Sequence, residues 1–525
     1  MHHVEPVVLL LVLVAGLVIV ANKLAVPYPV LLVLGGLALS FVPFLPVIRL
    51  DPNLALFFFL PPLLYPAALF TSWRDFRRNL RSILFLAIGL VLLTMTVVAW
   101  VAHSFIAGLP WAAAFALGAI VSPPDAVAAE AILKRLRVPA RIQAVLGGES
   151  LVNDATALVA YQFAVAAMVT GHFSLGTASL EFVLVGVGGV ALGLLVGVVM
   201  RWVQRHLDDP PVQITLSLLT PFAAYLLAER FAVSGVLSVV AAGVYLGWHS
   251  TALTARFRLQ AQLFWEMVAF LLNGLIFIMI GLQLPGILRN LNHEPLSRLA
   301  TYGFLISATV VLVRIAWVFP ATYLPRWLSP KMRARDPIPP WRHSVLIAWA
   351  GMRGVVSLAA AFALPLLLGN RQPFPGRSYI LFLTFCVILT TLVFQGLTLP
   401  VLIHKLGVKD DGVIDSEERE ARLKANEAAV DFIEQKALQE HFPEEVMARV
   451  RAEYCDRIAQ LEACGQNTEN PGGEVATPIY QRLQHGALQV ERRTIIALRN
   501  SQAINDEALR RIQRDLDLAE ARLTG

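Results

Sequence analysis

Apolar runs of about twenty residues recur between residues 5 and 404, the length that crosses a hydrocarbon core of about 30 Å. No other feature restricts the chain as strongly. Hydrocarbon offers no water to backbone groups, so a spanning segment pairs its own N–H and C=O, and runs of this length do so as helices. Composition agrees: 57% of residues are hydrophobic and 15% charged, against about 45–50% and about 25% in a globular domain. Residues 5–22 could be taken for a secretory signal. No Lys or Arg precedes them, however, and no small-residue cleavage site leads into a soluble domain, so they read as the first span.

Hydropathy places about thirteen spans, near 5–25, 27–47, 53–71, 81–105, 111–131, 145–170, 178–203, 212–230, 232–249, 263–284, 299–323, 343–369 and 378–404. Basic residues crowd every second loop: Arg74, Arg77, Arg78 and Arg81; Lys134 through Arg141; Arg201 and Arg205; Arg256 and Arg258; Arg326 through Arg342. That side faces the cytoplasm, which puts the N-terminus outside and the C-terminal tail inside. The net charge of +6 therefore reflects membrane topology, and no nucleic-acid partner is expected. Cys386, Cys455 and Cys464 are too few and scattered for a disulfide framework or a metal cluster. The membrane domain covers 1–405. The tail, 406–525, is polar and rich in helix formers, with helix expected from Ser416 to about 440, from Pro443 to Leu461 and from Pro478 toward Leu523. It reads as a regulatory or assembly module.

Polar residues stand inside two of the spans. Pro123, Pro124 and Asp125 interrupt the fifth; Glu149, Ser150, Asn153 and Asp154 share one surface near the start of the sixth by the i,i+4 rule. Carboxylates in hydrocarbon are tolerated where they face protein or a watery cavity, and they point to transport. An odd span between two halves of six inverts one half relative to the other, and interruptions at matching positions mark a transporter site. Gly351, Arg353 and Gly354 supply the matching interruption, seven spans after the first. Proline frees carbonyls, and carboxylate, hydroxyl and carbonyl oxygens suit a hard cation. The same carboxylate can instead hold a proton. Asp154 and Asp125 read as the ion and proton site. Glu149 and Arg353 read either as a structural ion pair or as direct ligands. Glu266 and Asn273 stay open between the two roles, and Arg314 reads as structural, held by a carbonyl or carboxylate.

Five segments, FFFLPPLLYPAALFTSWRDFRRNL, SPPDAVAAEAILKRLRVP, GGESLVNDATALV, FWEMVAFLLNGLIFIMIGLQL and WAGMRGVVSLAAAFALP, together resemble the monovalent cation/proton antiporter family. Among its groups, the chain is most similar to the bacterial sodium/proton antiporters akin to the animal sodium/proton exchangers. The resemblance implies an all-α polytopic membrane protein built of inverted repeats, with two broken, crossing helices and a helical cytosolic tail. It implies a homodimer in the bacterial inner membrane, with no cofactor beyond the transported ions. Asp154 matches the ion- and proton-binding aspartate, Ser150 a cation-ligand serine, and Asn153 the asparagine associated with electroneutral exchange. Glu149 and Arg353 match a supporting charged pair, and Asp125 the aspartate of the broken fifth helix. Two departures follow: Pro124 stands where many members have threonine, leaving only its carbonyl as a ligand, and Pro66 stands where many have an acidic residue.

The function expected is exchange of Na⁺, with Li⁺ and K⁺ as further candidates, for protons by alternating access. A membrane-embedded enzyme would need a nucleophile–base pair or metal ligands at helical spacing, and no His-x-x-x-His occurs within a span. A cation channel would need repeated filter segments around a pore.

Overall fold

The computed structural model describes residues 4–24, 26–41, 52–136, 138–171, 175–207, 209–250, 254–289, 291, 294–368, 372–439, 443–466, 487–495, 497–498, 501 and isolated positions up to 518. The chain divides into two compact units, Met1–Asp411 and Gly412–Gly525; the division expected from composition lies a few residues earlier, at 405/406.

The first unit is a succession of helices: α1 (Val4–Leu24), α2 (Tyr28–Leu39), α3 (Pro52–Leu69), α4 (Trp73–Leu84), α5 (Val91–Phe105), α6 (Trp111–Val121), α7 (Ala126–Arg135), α8 (Ala140–Thr170), α9 (Leu175–Arg205) and α10 (Pro210–Arg230). It continues with α11 (Gly235–Trp248), α12 (Ala255–Leu282), α13 (Leu284–Arg289), α14 (Leu296–Leu328), α15 (Pro330–Arg335), α16 (Trp341–Trp349), α17 (Val355–Phe362), α18 (Arg377–Thr390) and α19 (Gly396–Leu406). One π-helical turn, Phe85–Leu90, joins α4 to α5, and another, Thr391–Gln395, joins α18 to α19. Among the described residues seven helical stretches are long and apolar enough to cross a membrane, and five shorter apolar helices accompany them. All thirteen stretches expected to span contain helix. Within the basic loop Lys134–Arg141, the side chain of Arg141 is described, whereas Arg137 and the side chains of Lys134 and Arg135 lie outside the described residues.

The expected span 343–369 is shorter as helix. It breaks between α16 and α17 and ends at Phe362. Pro365 brings no N–H to continue the ladder, and the Arg377 guanidinium donates instead to the carbonyls of Phe362 and Leu364, both at 3.2 Å.

Helices in hydrocarbon associate through close backbone approach at small residues. A Cβ on Gly36 would sit 2.2 Å from the Ile278 carbonyl, and one on Gly281 would sit 2.3 Å from that of Val33, so α2 and α12 touch backbone to backbone. The α9–α11 contact repeats this at Gly193, where a Cβ would lie 2.2 Å from the Ser238 carbonyl.

The second unit contains α20 (Val413–Gln439) and α21 (Glu444–Gln466). Helix starts at Val413 rather than at Ser416, whose hydroxyl donates back to the Val413 carbonyl at 2.9 Å. Intrahelical pairs Glu418–Arg422 (2.5 Å) and Glu420–Lys424 (2.6 Å) line α20, and Arg451 reaches Glu434 between the helices at 2.8 Å. Most of the stretch from Pro478 to Leu523 lies outside the described residues.

Replacing Gly36 by valine forces α2 off α12. Overpacking of this kind costs about 1–3 kcal/mol, so the variant should show a thermal midpoint several degrees lower in detergent, read by tryptophan fluorescence.

Candidate functional site

The double proline explains the first break. Pro123 and Pro124 have no N–H to give to the carbonyls of Ala119 and Ile120. The hydroxyl of Ser122 donates to the Ala119 carbonyl at 2.9 Å and satisfies one of them. The next carbonyl, Val121, would normally receive the Asp125 N–H. That N–H instead crosses to the second broken helix and donates to the Met352 carbonyl at 2.7 Å. In return, Arg353 Nε donates to the Val121 carbonyl at 2.7 Å. The two interrupted helices thus exchange backbone partners where they cross.

Charge is distributed over this crossing with a consistent sign. The carboxylate of Asp125 accepts from the Val127 N–H at 2.9 Å and the Val355 N–H at 3.4 Å, and so sits at the N-terminal ends of both α7 and α17. Unpaired N–H groups and the helix dipole favour an anion there. The approach is so close that a Cβ on Gly354 would fall 1.7 Å from Asp125 Oδ2, which leaves room for glycine alone. Guanidinium groups occupy the opposite ends. Arg353, fully buried, closes the C-terminal end of α6 through Val121, also donates to the Gly351 carbonyl at 3.1 Å, and receives its backbone position from Thr391 Oγ1, which accepts the Arg353 N–H at 3.0 Å. Arg314 closes the end of α16, donating from Nε and Nη2 to the Ile347 carbonyl at 3.2 and 3.0 Å.

The partner of Glu149 differs from the expected one. Glu149 and Arg314, each 1% exposed, form a two-pronged pair at 2.6 and 2.9 Å. Arg353 hydrogen-bonds carbonyls and interacts with Glu149 through space, so the hydrogen-bonded ion pair of Glu149 is with Arg314 rather than Arg353. The physical reason lies in the second break. Gly351 has no side chain, and the Arg314 side chain packs over it so tightly that a Cβ would meet Arg314 Cδ at 2.2 Å; Arg353, two residues on, is drawn to α6. Sequence reasoning assigned Arg314 a carbonyl or carboxylate partner, and it has both, but spacing gave no sign of which glutamate it meets.

On α8, one turn beyond Glu149, Asn153 is fully buried, and its amide Nδ2 donates to the Pro124 carbonyl at 2.8 Å. That bond ties α8 to the first break. The amide oxygen of Asn153 has no partner among the described residues. Asp154, 5% exposed, lies next to it in the chain and interacts electrostatically with Asp125. Among the described residues no group donates a hydrogen bond to the Asp154 carboxylate. Ser150, half-buried, lies one turn before Asp154 on the same helix. Pro124, Asp125, Glu149, Asn153 and Arg353 are therefore linked through one crossing, and Asp154 and Ser150 share the α8 surface beside it. Asn273 is buried, and its amide oxygen has no partner among the described residues, whereas Glu266 accepts from Gln262 Nε2 at 3.0 Å on an exposed face. Pro66 is buried within α3 and offers no carboxylate.

Two interrupted apolar helices that cross and neutralise each other's ends, with an unpaired carboxylate alongside, define a secondary-transport architecture. The chain belongs to the sodium/hydrogen exchanger family: the model for "Sodium/hydrogen exchanger, transmembrane" matches residues 9–405. It is 36% identical over 524 residues to an uncharacterized Na⁺/H⁺ exchanger of Mycobacterium tuberculosis, covering 98% of this chain and 96% of that one. An uncharacterized Na⁺/H⁺ exchanger of Escherichia coli is 34% identical, with 98% and 97% covered. A sodium, potassium, lithium and rubidium/H⁺ antiporter of Bacillus subtilis is 36% identical, over 75% of this chain and 61% of that one. The fold is similar to that of the sodium proton antiporter MjNhaP1 from Methanocaldococcus jannaschii, with TM-score 0.60 at 21% identity, covering 77% of this chain and 98% of that one.

Removing one partner of a buried ion pair strands the other and costs about 3–5 kcal/mol, whereas an apolar replacement of both is far better tolerated. Glu149→Leu and Arg314→Met should each lower the thermal midpoint sharply, and the double variant should recover most of it. A loss in the double variant equal to the sum of the two single losses would show that the pair is uncoupled.

Proposed function

We propose that Asp154 is the shared carrier of cation and proton, binding one or the other in turn while the crossing moves as a body between two faces of the membrane. Monovalent cation/proton antiport is the activity of the family. The observation that carries the proposal is the contrast at the crossing. Asp125 is met by two helix N-termini and Glu149 by Arg314, while the buried Asp154 carboxylate receives no hydrogen bond among the described residues. A carboxylate that must give up its proton for a cation works best without a fixed competing donor.

Ser150, one turn before Asp154, and the adjacent Asn153 amide oxygen offer additional oxygens on α8. The Pro124 carbonyl already accepts from Asn153, and its second lone pair stays open. An unpaired charge in the membrane costs about 2.5–3.5 kcal/mol or more, so the empty, deprotonated state crosses least, and exchange is favoured over leak. With one titrating carboxylate, the exchange is one-for-one and electroneutral. The charge asymmetry of the loops supports a cytoplasmic tail and an outside N-terminus, with thirteen spans in the bacterial inner membrane. The protein works as a homodimer with no catalytic chemistry of its own.

The test is the pH change driven by a series of Na⁺, Li⁺, K⁺ and Rb⁺ in proteoliposomes, with and without an imposed membrane potential. The B. subtilis relative's name supports including all four. Wild type should respond to Na⁺ at a rate insensitive to the potential, and Asp154→Asn should lose the response entirely while remaining folded. Full activity in Asp154→Asn would overturn the assignment.

A further inference from the structure

A second polar site lies away from the ion crossing, where the turn between α3 and α4 meets the end of α11. A cleft of about 730 Å³ opens there between Trp73, Arg74, Arg77 and Arg78 on one side and Gly247 and Trp248 on the other. Helix α4 carries four arginines against one aspartate. Asp75 lies 3.9 Å from Arg74 Nε, whereas Arg77 and Arg78 are exposed and have no ion-pair partner among the described residues. The rings of Trp73 and Trp248 stand 6.2 Å apart, and Trp248 is 61% exposed.

We propose that this cleft binds the headgroup of an anionic phospholipid. The argument for a lipid over a soluble anion rests on what lies beside the arginines. From Arg77, positions three and seven residues on are Leu80 and Leu84, one helix face, and both are exposed, as is the adjoining Phe85. That face offers charge at the level of a phosphate and apolar side chains where acyl chains run. Tryptophan rings at the same level mark the membrane–water interface. The chain then enters the apolar stretch that ends at Phe105, fixing the depth of the arginines at the headgroups.

The cleft joins elements that bear on the ion crossing. Phe76 packs against α8 so closely that a Cβ on Gly148, the residue before Glu149, would lie 3.2 Å from Phe76 Cδ2. Gly247 lets α11 meet α3 at the Leu69 carbonyl, 2.1 Å from where its Cβ would be. A headgroup held between Arg77, Arg78 and Trp248 bridges α4 to α11 and steadies α4 against α8.

The experiment uses the full chain and two readouts. Native mass spectrometry compares retention of phosphatidylglycerol with phosphatidylcholine on wild type and on Arg77→Gln/Arg78→Gln, with inorganic phosphate as competitor. Wild type should retain phosphatidylglycerol selectively and resist millimolar phosphate, and the variant should lose about tenfold or more in retention, since each basic residue near an anionic surface contributes several-fold. Na⁺-driven proton flux is then measured in phosphatidylcholine vesicles with added phosphatidylglycerol: wild type should be stimulated, and the variant should keep its basal flux without stimulation. Equal retention of the two lipids, displacement by phosphate alone, or unchanged selectivity in the variant would overturn the site. The binding readout is independent of which cation is carried, so a failure of the antiport assignment would be seen separately.

Discussion

The fold depends on one constraint: two helices that break inside hydrocarbon must pay each other's hydrogen-bond debts. Proline removes donors from the end of α6, and the stretch from Ala350 to Gly354 does not form helix. Each break alone would leave carbonyls and N–H groups unpaired in a medium where that costs several kcal/mol apiece. Together they close. Asp125 N–H goes to Met352, Arg353 to Val121, and Val355 N–H to the Asp125 carboxylate. The crossing is therefore cooperative, since removing a group from one helix unpairs one on the other.

Charge follows the same logic. Half-helices expose partial positive charge at their starts and partial negative charge at their ends. Carboxylate meets the two starts through Asp125, and guanidinium meets the two ends through Arg353 and Arg314. Glu149 then balances Arg314 at 2.6 Å. Glu149 and Arg314 neutralise each other directly, while Asp125 and Arg353 meet helix ends of opposite partial charge, which lets the assembly tolerate burial. Asp154 is the exception, and it lies one residue beyond the Asn153 bond that fastens α8 to the break.

Much of this was legible in the sequence because it comes from residue types that hydrocarbon rarely admits. Pro123-Pro124, Asp125, Asp154 and the Gly351–Gly354 segment stood out against apolar surroundings, and the apolar runs marked where helices form. What sequence could not give was pairing across long separations. Glu149 and Arg314 are 165 positions apart, and either buried arginine satisfied the requirement for a carboxylate partner. The choice between them is made by shape: Gly351 clears space for the Arg314 side chain, while Arg353 is consumed by the carbonyl that the first break exposes. The start of α20 precedes the expected Ser416 for a more local reason. Gly412, at φ 63, turns the chain ahead of Val413, and Ser416 bonds backward to a carbonyl rather than forward to an N–H.

The same accounting bears on how exchange would be coupled. If the crossing moves as a body, its internal charges travel already neutralised, and their hydration need not be rebuilt on either side. The cost of movement then rests on Asp154 alone. Protonated, it is neutral; with a monovalent cation, the pair is neutral; bare, it carries an uncompensated charge through a low-dielectric region at a cost of about 2.5–3.5 kcal/mol or more. A second unpaired carboxylate, such as an aspartate in place of Asn153, would add a charge that one cation cannot balance. On the proposed mechanism, an asparagine rather than a carboxylate at position 153 makes a one-for-one stoichiometry the expected outcome.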